Sequence, residues 1–127
     1  MELKQYIENF KKLKFKWGEV DCYRFIRGYI DLKFPNNKLP ILGYQNKSEA
    51  HQLNKKYDWF KEIDKTFKYK IIDCMDKLID GDLLILKDGF QCVHIVSENQ
   101  VWSIDIHFNL VGLPLYKGKY LRLLESL

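Results

Sequence analysis

The pattern of apolar residues changes near residue 80, and this change constrains the fold more than any other feature of the chain. Before it, apolar side chains recur every three or four residues, which predicts amphipathic helices from Leu3 to Leu13 and from Cys22 to Phe34. After it, short apolar runs alternate with turn residues at hairpin spacing, which predicts an antiparallel meander. Helices followed by strands are typical of an α+β fold, here N-terminal helices packed on a C-terminal antiparallel sheet.

Weaker signals predict the remaining elements. Residues 36–48 contain proline, glycine and several asparagines, and we expect a loop there. A helix is predicted from Ser48 to about Tyr57, continuing through residues 58–63, and a turn at 74–78. The predicted strands are listed by residue number: 67–72, 83–86, 90–97, 101–108 and about 120–124.

Size and charge limit the classes of protein that this chain can represent. Its 127 residues suffice for a single domain, 1–127, and its hydrophobic fraction of 46% favours a folded chain. The net charge is +4, from lysines scattered along the whole sequence rather than clustered on one element. This scatter predicts a solvated surface and no nucleic-acid partner, although a polyanionic cell-wall polymer is compatible with it.

The N-terminus and the cysteines add two expectations. The first residues lack the apolar segment of a signal peptide, and no apolar run approaches a membrane span. We therefore expect a protein made in the cytoplasm without a signal peptide and not inserted in a membrane. Cys22, Cys74 and Cys92 are odd in number and widely spaced, which predicts neither a disulfide framework nor a zinc site.

Cys22 is the candidate nucleophile. It directly follows Asp21, a plausible helix N-cap, and lies four residues after Gly18. A helix N-terminus carries partial positive charge and favours the thiolate, which is the reactive form of cysteine. Backbone N–H groups at a helix start and a small neighbouring residue also suit an oxyanion pocket.

His94 is the candidate base, because it interrupts an otherwise apolar strand downstream of Cys22. The next strand offers a third, orienting residue. Ser103, Asp105 and His107 alternate along one face of that predicted strand. Asp105 is the first choice and His107 the alternative, since the sequence does not fix the hairpin register; Ser103 would orient an imidazole weakly.

The remaining reactive side chains are better explained by structure. Cys92 shares a strand with His94 but lies far from any helix start, and Cys74 falls in a predicted turn, so we expect packing roles for both. His51 lies in a polar helical stretch and is predicted to be exposed. Asp80 and Asp82 flank a glycine and are expected to form a turn.

Three segments resemble the NlpC family of papain-like cysteine peptidases, including the short versions found among bacteriophage tail proteins. Residues 15–22 are similar to the family motif aromatic-x-Trp-Gly-x-x-Asp-Cys, whose cysteine is the nucleophile. Residues 81–86 resemble the Gly-Asp-Leu-Val strand before the catalytic histidine, and residues 93–105 resemble the hairpin that carries this histidine and its orienting residue. The resemblance covers about residues 10–125, in the family's order.

The chain departs from the family at several positions. Tyr23 and Arg24 stand where Ser-Gly usually follows the cysteine, and Phe15 replaces a tyrosine. Val96 replaces the glycine that usually lies soon after the histidine, and the family's third residue is most often a histidine. These differences concern the bulk and the polarity around the nucleophile.

The resemblance implies hydrolysis of an amide bond in the peptide stems of bacterial peptidoglycan, with no metal or organic cofactor. Cys22 would attack the carbonyl, His94 would relay the proton and Asp105 would hold the imidazole, while Trp17, Gly18, Asp21 and Tyr23 would border the substrate and oxyanion region. The implied location is a phage virion, with tail proteins as partners. Two alternatives stay open: a structural or assembly subunit of a phage tail with a degenerate site, and an acyltransferase or deamidase on the same scaffold.

Overall fold

The fold joins a layer of helices to one antiparallel sheet, in a computed structural model that describes residues 1–86, 93–105 and 107–127. Within these ranges the helices are α1 Leu3–Lys11, α2 Cys22–Lys33, α3 Lys47–Lys56 and α4 Trp59–Thr66. The strands are β1 Phe67–Ile72, β2 Leu83–Ile85, β3 Val93–Ser97, β4 Gln100–Ile104, β5 Leu110–Pro114 and β6 Lys119–Ser126. A short 3₁₀ helix, Met75–Lys77, connects β1 to β2. The expected α+β class is confirmed.

The spatial order of the strands is β1-β6-β2-β3-β4-β5, and every neighbouring pair is antiparallel. Strands β2, β3 and β4 form an antiparallel meander as predicted, and β5, which was not predicted, extends it; the strand predicted at about 120–124 is not part of this meander. The last strand, β6, then returns between β1 and β2. An ion pair fixes this insertion, because both oxygens of the buried Asp82 carboxylate accept hydrogen bonds from Arg122, at 2.8 and 2.9 Å.

The core lies between the helices and one face of the sheet. Tyr23, Ile26 and Ile30 of α2 pack in the same cluster as Val93 and Ile95 of β3. Side chains alternate along a strand, so the positions that alternate with Val93 and Ile95 project from the other face of the sheet. A smaller apolar cluster lies there and contains Leu84, Val96, Val101, Tyr120 and Ile72.

The structure changes three of the sequence-based element predictions. A break at Tyr57 separates α3 from α4, because the Asp58 carboxylate accepts a hydrogen bond from the Lys61 N–H and caps a new helix. The strand predicted over 101–108 ends at Ile104, where the chain turns. Strand β5 was not predicted, because Gly112 and Pro114 are poor strand formers. The start of the strand predicted over 90–97, residues 90–92, lies outside the described residues.

Among the described residues, none of the helices combines the length and the apolar character needed to span a membrane.

Candidate active site

Cys22 is the first residue of α2, as predicted from its position after Asp21. Asp21 is the N-cap, and its Oδ1 accepts a hydrogen bond of 2.9 Å from the Arg24 N–H. The cysteine is half-buried and forms no disulfide bond. It therefore lies where the partial positive charge of a helix start favours a negative charge.

The Asp21 carboxylate also connects the helix start to two neighbouring segments. Its Oδ2 accepts hydrogen bonds from the Gly18 N–H at 2.8 Å and from the Tyr44 hydroxyl at 2.5 Å. Asp21 is 1% exposed. Burial, followed by the hydrogen bond to Asp21, raises the pKa of Tyr44 well above its ordinary value, which keeps this hydroxyl a donor. Asp21 thereby fixes the backbone on both sides of Cys22.

Gly18 is required by the turn that precedes Cys22. Lys16 and Val20 exchange two backbone hydrogen bonds, and Gly18 adopts a φ of +82° inside the loop that they close. A β-carbon at this position would lie 2.1 Å from the Tyr44 carbonyl oxygen. The Trp-Gly-x-x-Asp-Cys spacing thus has a local cause: a tight turn, a close backbone approach and a cap.

Tyr23 and Arg24, the residues that depart from the family pattern, hold the loop after α2. Tyr23 is fully buried, and its hydroxyl accepts from the Leu42 N–H at 3.3 Å and donates to the Pro40 carbonyl at 3.2 Å. The Arg24 guanidinium donates to the carbonyls of Gly18 and Leu42, at 3.0 and 2.8 Å. Their size is explained by these contacts with the loop.

Cys22 and His94 line the same open cleft, which has a volume of about 510 Å³. The other described lining residues come from the turn before α2, from α3, and from β4 and the turn after it; they are Phe15, Trp17, Lys47, His51, Ser103, Ile104, Asp105 and Phe108. The cleft therefore combines a candidate nucleophile, two imidazoles, one ammonium group and several aromatic rings.

His94 is held by a residue that the sequence did not suggest. Its Nδ1 lies 3.0 Å from the Tyr116 hydroxyl, and the Tyr120 hydroxyl donates to the Tyr116 carbonyl at 2.5 Å. His94 is 7% exposed, pairs with Leu84 across β2, and alternates with residues of the helix-side core. A tyrosine from the segment between β5 and β6 is thus the contact on one ring nitrogen, and no spacing rule links residues 94 and 116.

Asp105 uses its carboxylate in its own turn. Oδ1 accepts hydrogen bonds from the His107 N–H at 2.9 Å and from the Asn109 N–H at 3.0 Å. The Asp105 N–H donates to the Asn109 carbonyl, which closes the turn. Asp105 lines the cleft, whereas His107 is exposed and is not among the described lining residues. Which of them acts with His94, if either, stays a prediction.

The pairing of β3 with β4 places Ser103 opposite His94. Ile95 pairs with Trp102 across β3 and β4. Continuing this antiparallel register by one residue places Ser103 opposite His94, on the same face. Ser103 also lines the cleft.

His51 and Lys47 are two cleft residues that the sequence reasoning did not select. They lie four residues apart on α3 and therefore share one helix face. The His51 ring meets Trp17 edge to face, with ring centroids 6.2 Å apart. His51 is exposed, as expected, yet it also lines a small cavity beside Cys22. Its four-residue spacing from Lys47 is a helical pattern, but nothing in the sequence showed that this face meets the Cys22 turn.

The other cysteines lie in different surroundings. Cys74 lines a second open cleft of about 570 Å³ between the end of β1 and the start of β6, and its described lining contains no histidine. Cys92 lies outside the described residues. No three metal-ligating His, Cys, Asp or Glu side chains cluster within the described ranges. Although the second cleft is slightly larger, only the Cys22 cleft combines a thiol with imidazoles among the described side chains.

No protein-family model, curated protein or solved structure matches the chain.

Proposed function

We propose that this protein is a papain-like cysteine peptidase of the NlpC type that hydrolyses an amide bond in peptidoglycan stem peptides. The observation that carries the proposal is that Cys22, at the N-terminus of α2, and His94, on β3, line one open cleft. The sequence motif around Cys22 supports the same proposal, because Gly18 and Asp21 build the turn and the cap that present the thiol.

The proposed reaction needs only these groups and water. The Cys22 thiolate attacks the amide carbonyl, and the negative charge on the carbonyl oxygen is stabilised by backbone N–H groups at the start of α2. The C–N bond breaks as His94 transfers to the leaving amine the proton that it took from the Cys22 thiol, which gives a thioester. His94 then accepts a proton from water, whose oxygen attacks the thioester and releases the carboxylic acid and the thiol.

We propose that the protein acts at the bacterial cell wall as part of a phage tail. The support is the resemblance of residues 15–22, 81–86 and 93–105 to short tail-associated members of that family. The positively charged chain is also compatible with a polyanionic wall, since its net charge is +4.

The experiment measures new amino groups released from purified peptidoglycan. The wild-type protein should release them, Cys22→Ala should reduce the rate at least about a thousandfold, and Cys74→Ala should act as the wild type. Circular dichroism and thermal unfolding establish that each variant is folded. No release by the folded wild type from walls of several stem types, or full activity of Cys22→Ala, would overturn the proposal.

Alkylation tests the nucleophile without a substrate. Iodoacetamide at neutral pH should modify Cys22 faster than Cys74, because the start of α2 favours the thiolate. Peptide mass spectrometry after short exposures gives the order of labelling. Labelling of Cys74 while Cys22 stays unmodified would contradict the proposed activation.

A structural or assembly role in a phage tail is the second candidate. The observation in its favour is that the Asp105 carboxylate accepts hydrogen bonds from two N–H groups of its own turn, which is a structural use of this candidate catalytic residue. This role predicts that tails assemble fully when they contain the Cys22→Ala variant and do not assemble when the protein is deleted. It also predicts that tails containing the wild-type protein do not cleave the wall.

A further inference from the structure

Phe108 adopts a backbone conformation that a bulky residue rarely takes. Its φ is +64°, in the left-handed region, and its side chain is 50% exposed. Exposing a large aromatic side chain on a strained turn lowers stability twice, through the backbone and through the unburied ring. Such a feature persists only when the surrounding structure imposes it, and it is found most often at binding and catalytic sites.

Asp105 imposes the conformation of this turn. Its carboxylate accepts the N–H groups of His107 and Asn109, and its carbonyl accepts the Phe108 N–H at 3.0 Å. The backbone of Asp105 also donates to the Asn109 carbonyl at 2.9 Å. His107 and Asn109, the neighbours of Phe108 in sequence, are therefore both hydrogen-bonded to Asp105.

The turn places Phe108 against two aromatic residues from the segment before α2. The rings of Phe108 and Phe15 stack with centroids 4.3 Å apart and an angle of 28° between their planes. Trp17 meets Phe15 edge to face at 4.9 Å and Phe108 at 6.2 Å. All three rings line the cleft that Cys22 lines, so the trio forms a wall of this cleft, called here the aromatic wall.

We propose that Phe108 is a specificity-determining residue, and that the aromatic wall of Phe15, Trp17 and Phe108 binds an aliphatic group of the substrate beside Cys22. This inference rests on the proposed peptidase function and adds a substrate feature to it. Three adjoining rings present an apolar surface without a charge of their own, and Ile104 extends it within the cleft. Short methyl and methylene groups are the ligands that such a surface selects from a polar peptide.

The same geometry makes Asp105 a positioning residue that acts through Phe108. Its Oδ1 bonds hold the turn, and the turn holds the ring in the wall. Loss of Asp105 should therefore resemble loss of Phe108 in its kinetic effect.

The first experiment compares Phe108→Ala with Leu113→Ala, which truncates an exposed side chain of β5 outside the described cleft lining. The probes are synthetic stem tetrapeptides in which each alanine in turn is replaced by glycine. The wild type should lose about tenfold or more in kcat/KM for one of these replacements, since a missing methyl group weakens binding in an apolar site. Phe108→Ala should raise KM for the parent peptide about tenfold with little change in kcat, and should no longer distinguish that alanine from glycine. Leu113→Ala should behave as the wild type.

Unchanged KM and unchanged discrimination in a folded Phe108→Ala protein would overturn the inference and leave the peptidase proposal standing. Calorimetric binding of the same peptides to Cys22→Ala separates the opposite case. In that case the wild type cleaves none of the peptides, yet Cys22→Ala binds the parent peptide more tightly than the double variant Cys22→Ala, Phe108→Ala does. This result would support peptide binding by the aromatic wall and would overturn the peptidase proposal.

The second experiment uses Asp105→Ala and Asp105→Asn. Asp105→Ala should raise KM as Phe108→Ala does, without shifting the pH dependence of kcat, and Asp105→Asn should recover most of the loss because its amide oxygen still accepts the two N–H groups. The double variant Asp105→Ala, Phe108→Ala should be no weaker than Phe108→Ala alone. A fall in kcat at unchanged KM, or a shifted pH profile, would show that Asp105 acts on His94 and would overturn its role in positioning Phe108.

Discussion

The Tyr116 hydroxyl lies 3.0 Å from Nδ1 of His94, the imidazole for which a carboxylate or a second histidine was expected as the partner. Tyr116 is itself fixed through its carbonyl, which accepts a hydrogen bond from the Tyr120 hydroxyl. Tyr120 and His94 pair with the same residue, Leu84, from its two sides. The imidazole is therefore linked to the interior of the sheet through a tyrosine pair.

Replacing Tyr116 with phenylalanine should lower kcat for the proposed stem-peptide cleavage about three- to tenfold and change KM little, because one hydrogen bond to the imidazole contributes about 1 kcal/mol. Steady-state kinetics across pH 5–9 measure the effect. Tyr69→Phe is the control, since Tyr69 donates to the exposed Asp64 on α4 instead. Equal kinetics for Tyr116→Phe and the wild type would show that this contact does not support catalysis.

Gly18→Ala should lower the free energy of unfolding by at least about 2 kcal/mol, because alanine must adopt a left-handed φ and its methyl group overlaps the Tyr44 carbonyl. Urea denaturation measures the change. Gly43→Ala is the matched control: no atom lies within 4 Å of its β-carbon position, so its stability should stay equal or rise by about 0.5 kcal/mol. Similar losses in both variants would contradict the close approach at Gly18.

Asp82→Asn should destabilise the protein by about 3 kcal/mol, because Arg122 would lose its charged partner at a buried position where the sheet is completed. The sequence assigned Asp82 only to a turn; it does accept the Ile79 N–H, but its bidentate bond to Arg122 joins β2 to β6. Thermal unfolding compares this variant with Asp80→Asn, whose exposed carboxylate accepts a hydrogen bond from the Glu98 N–H and should change stability by less than about 0.5 kcal/mol. A small effect at both positions would show that the ion pair between Asp82 and Arg122 contributes little to stability.

Stability should decrease between pH 10 and pH 12. Burial, and secondarily the charges of Asp82 and Asp80, raise the pKa of Tyr29 to about 12, above the ordinary value of 10.0. Because the folded-state pKa is the higher one, this contribution is complete below pH 10 and is lost as the pH rises through 12, to a total of roughly 3 kcal/mol. Tyr29→Phe should lose less stability over this range than the wild type. Identical pH dependence in denaturation would contradict the raised pKa of Tyr29.

Local patterns predicted much of the fold. The helices at Leu3–Lys11 and Cys22–Lys33 follow from apolar spacing, and the cap at Asp21 follows from residue type. What the sequence did not reveal depends on tertiary contacts. The return of β6 between β1 and β2 is fixed by Arg122, and β5 forms around Gly112, where the Trp102 ring occupies the space of a side chain.

The candidate site divides in the same way. Cys22 was found because its neighbours form a continuous local motif. His51 and Phe108 line the cleft, and Tyr116 contacts His94. All three come from segments distant in sequence, and their positions are set by loop paths that no periodicity encodes. Asp105 was selected by strand alternation, which assumed a strand through residue 108, whereas the chain turns after Ile104.

The strand order has a consequence for synthesis of the protein. β1 and β2 do not neighbour each other in the sheet, since β6 lies between them and pairs with both. While the ribosome adds residues in order, β1 and the meander emerge first and stay apart until residues 119–126 are available. The sheet is therefore completed late, through pairings between residues that are far apart in sequence. Until then the nascent chain exposes the unpaired edges of β1 and β2 that β6 will cover.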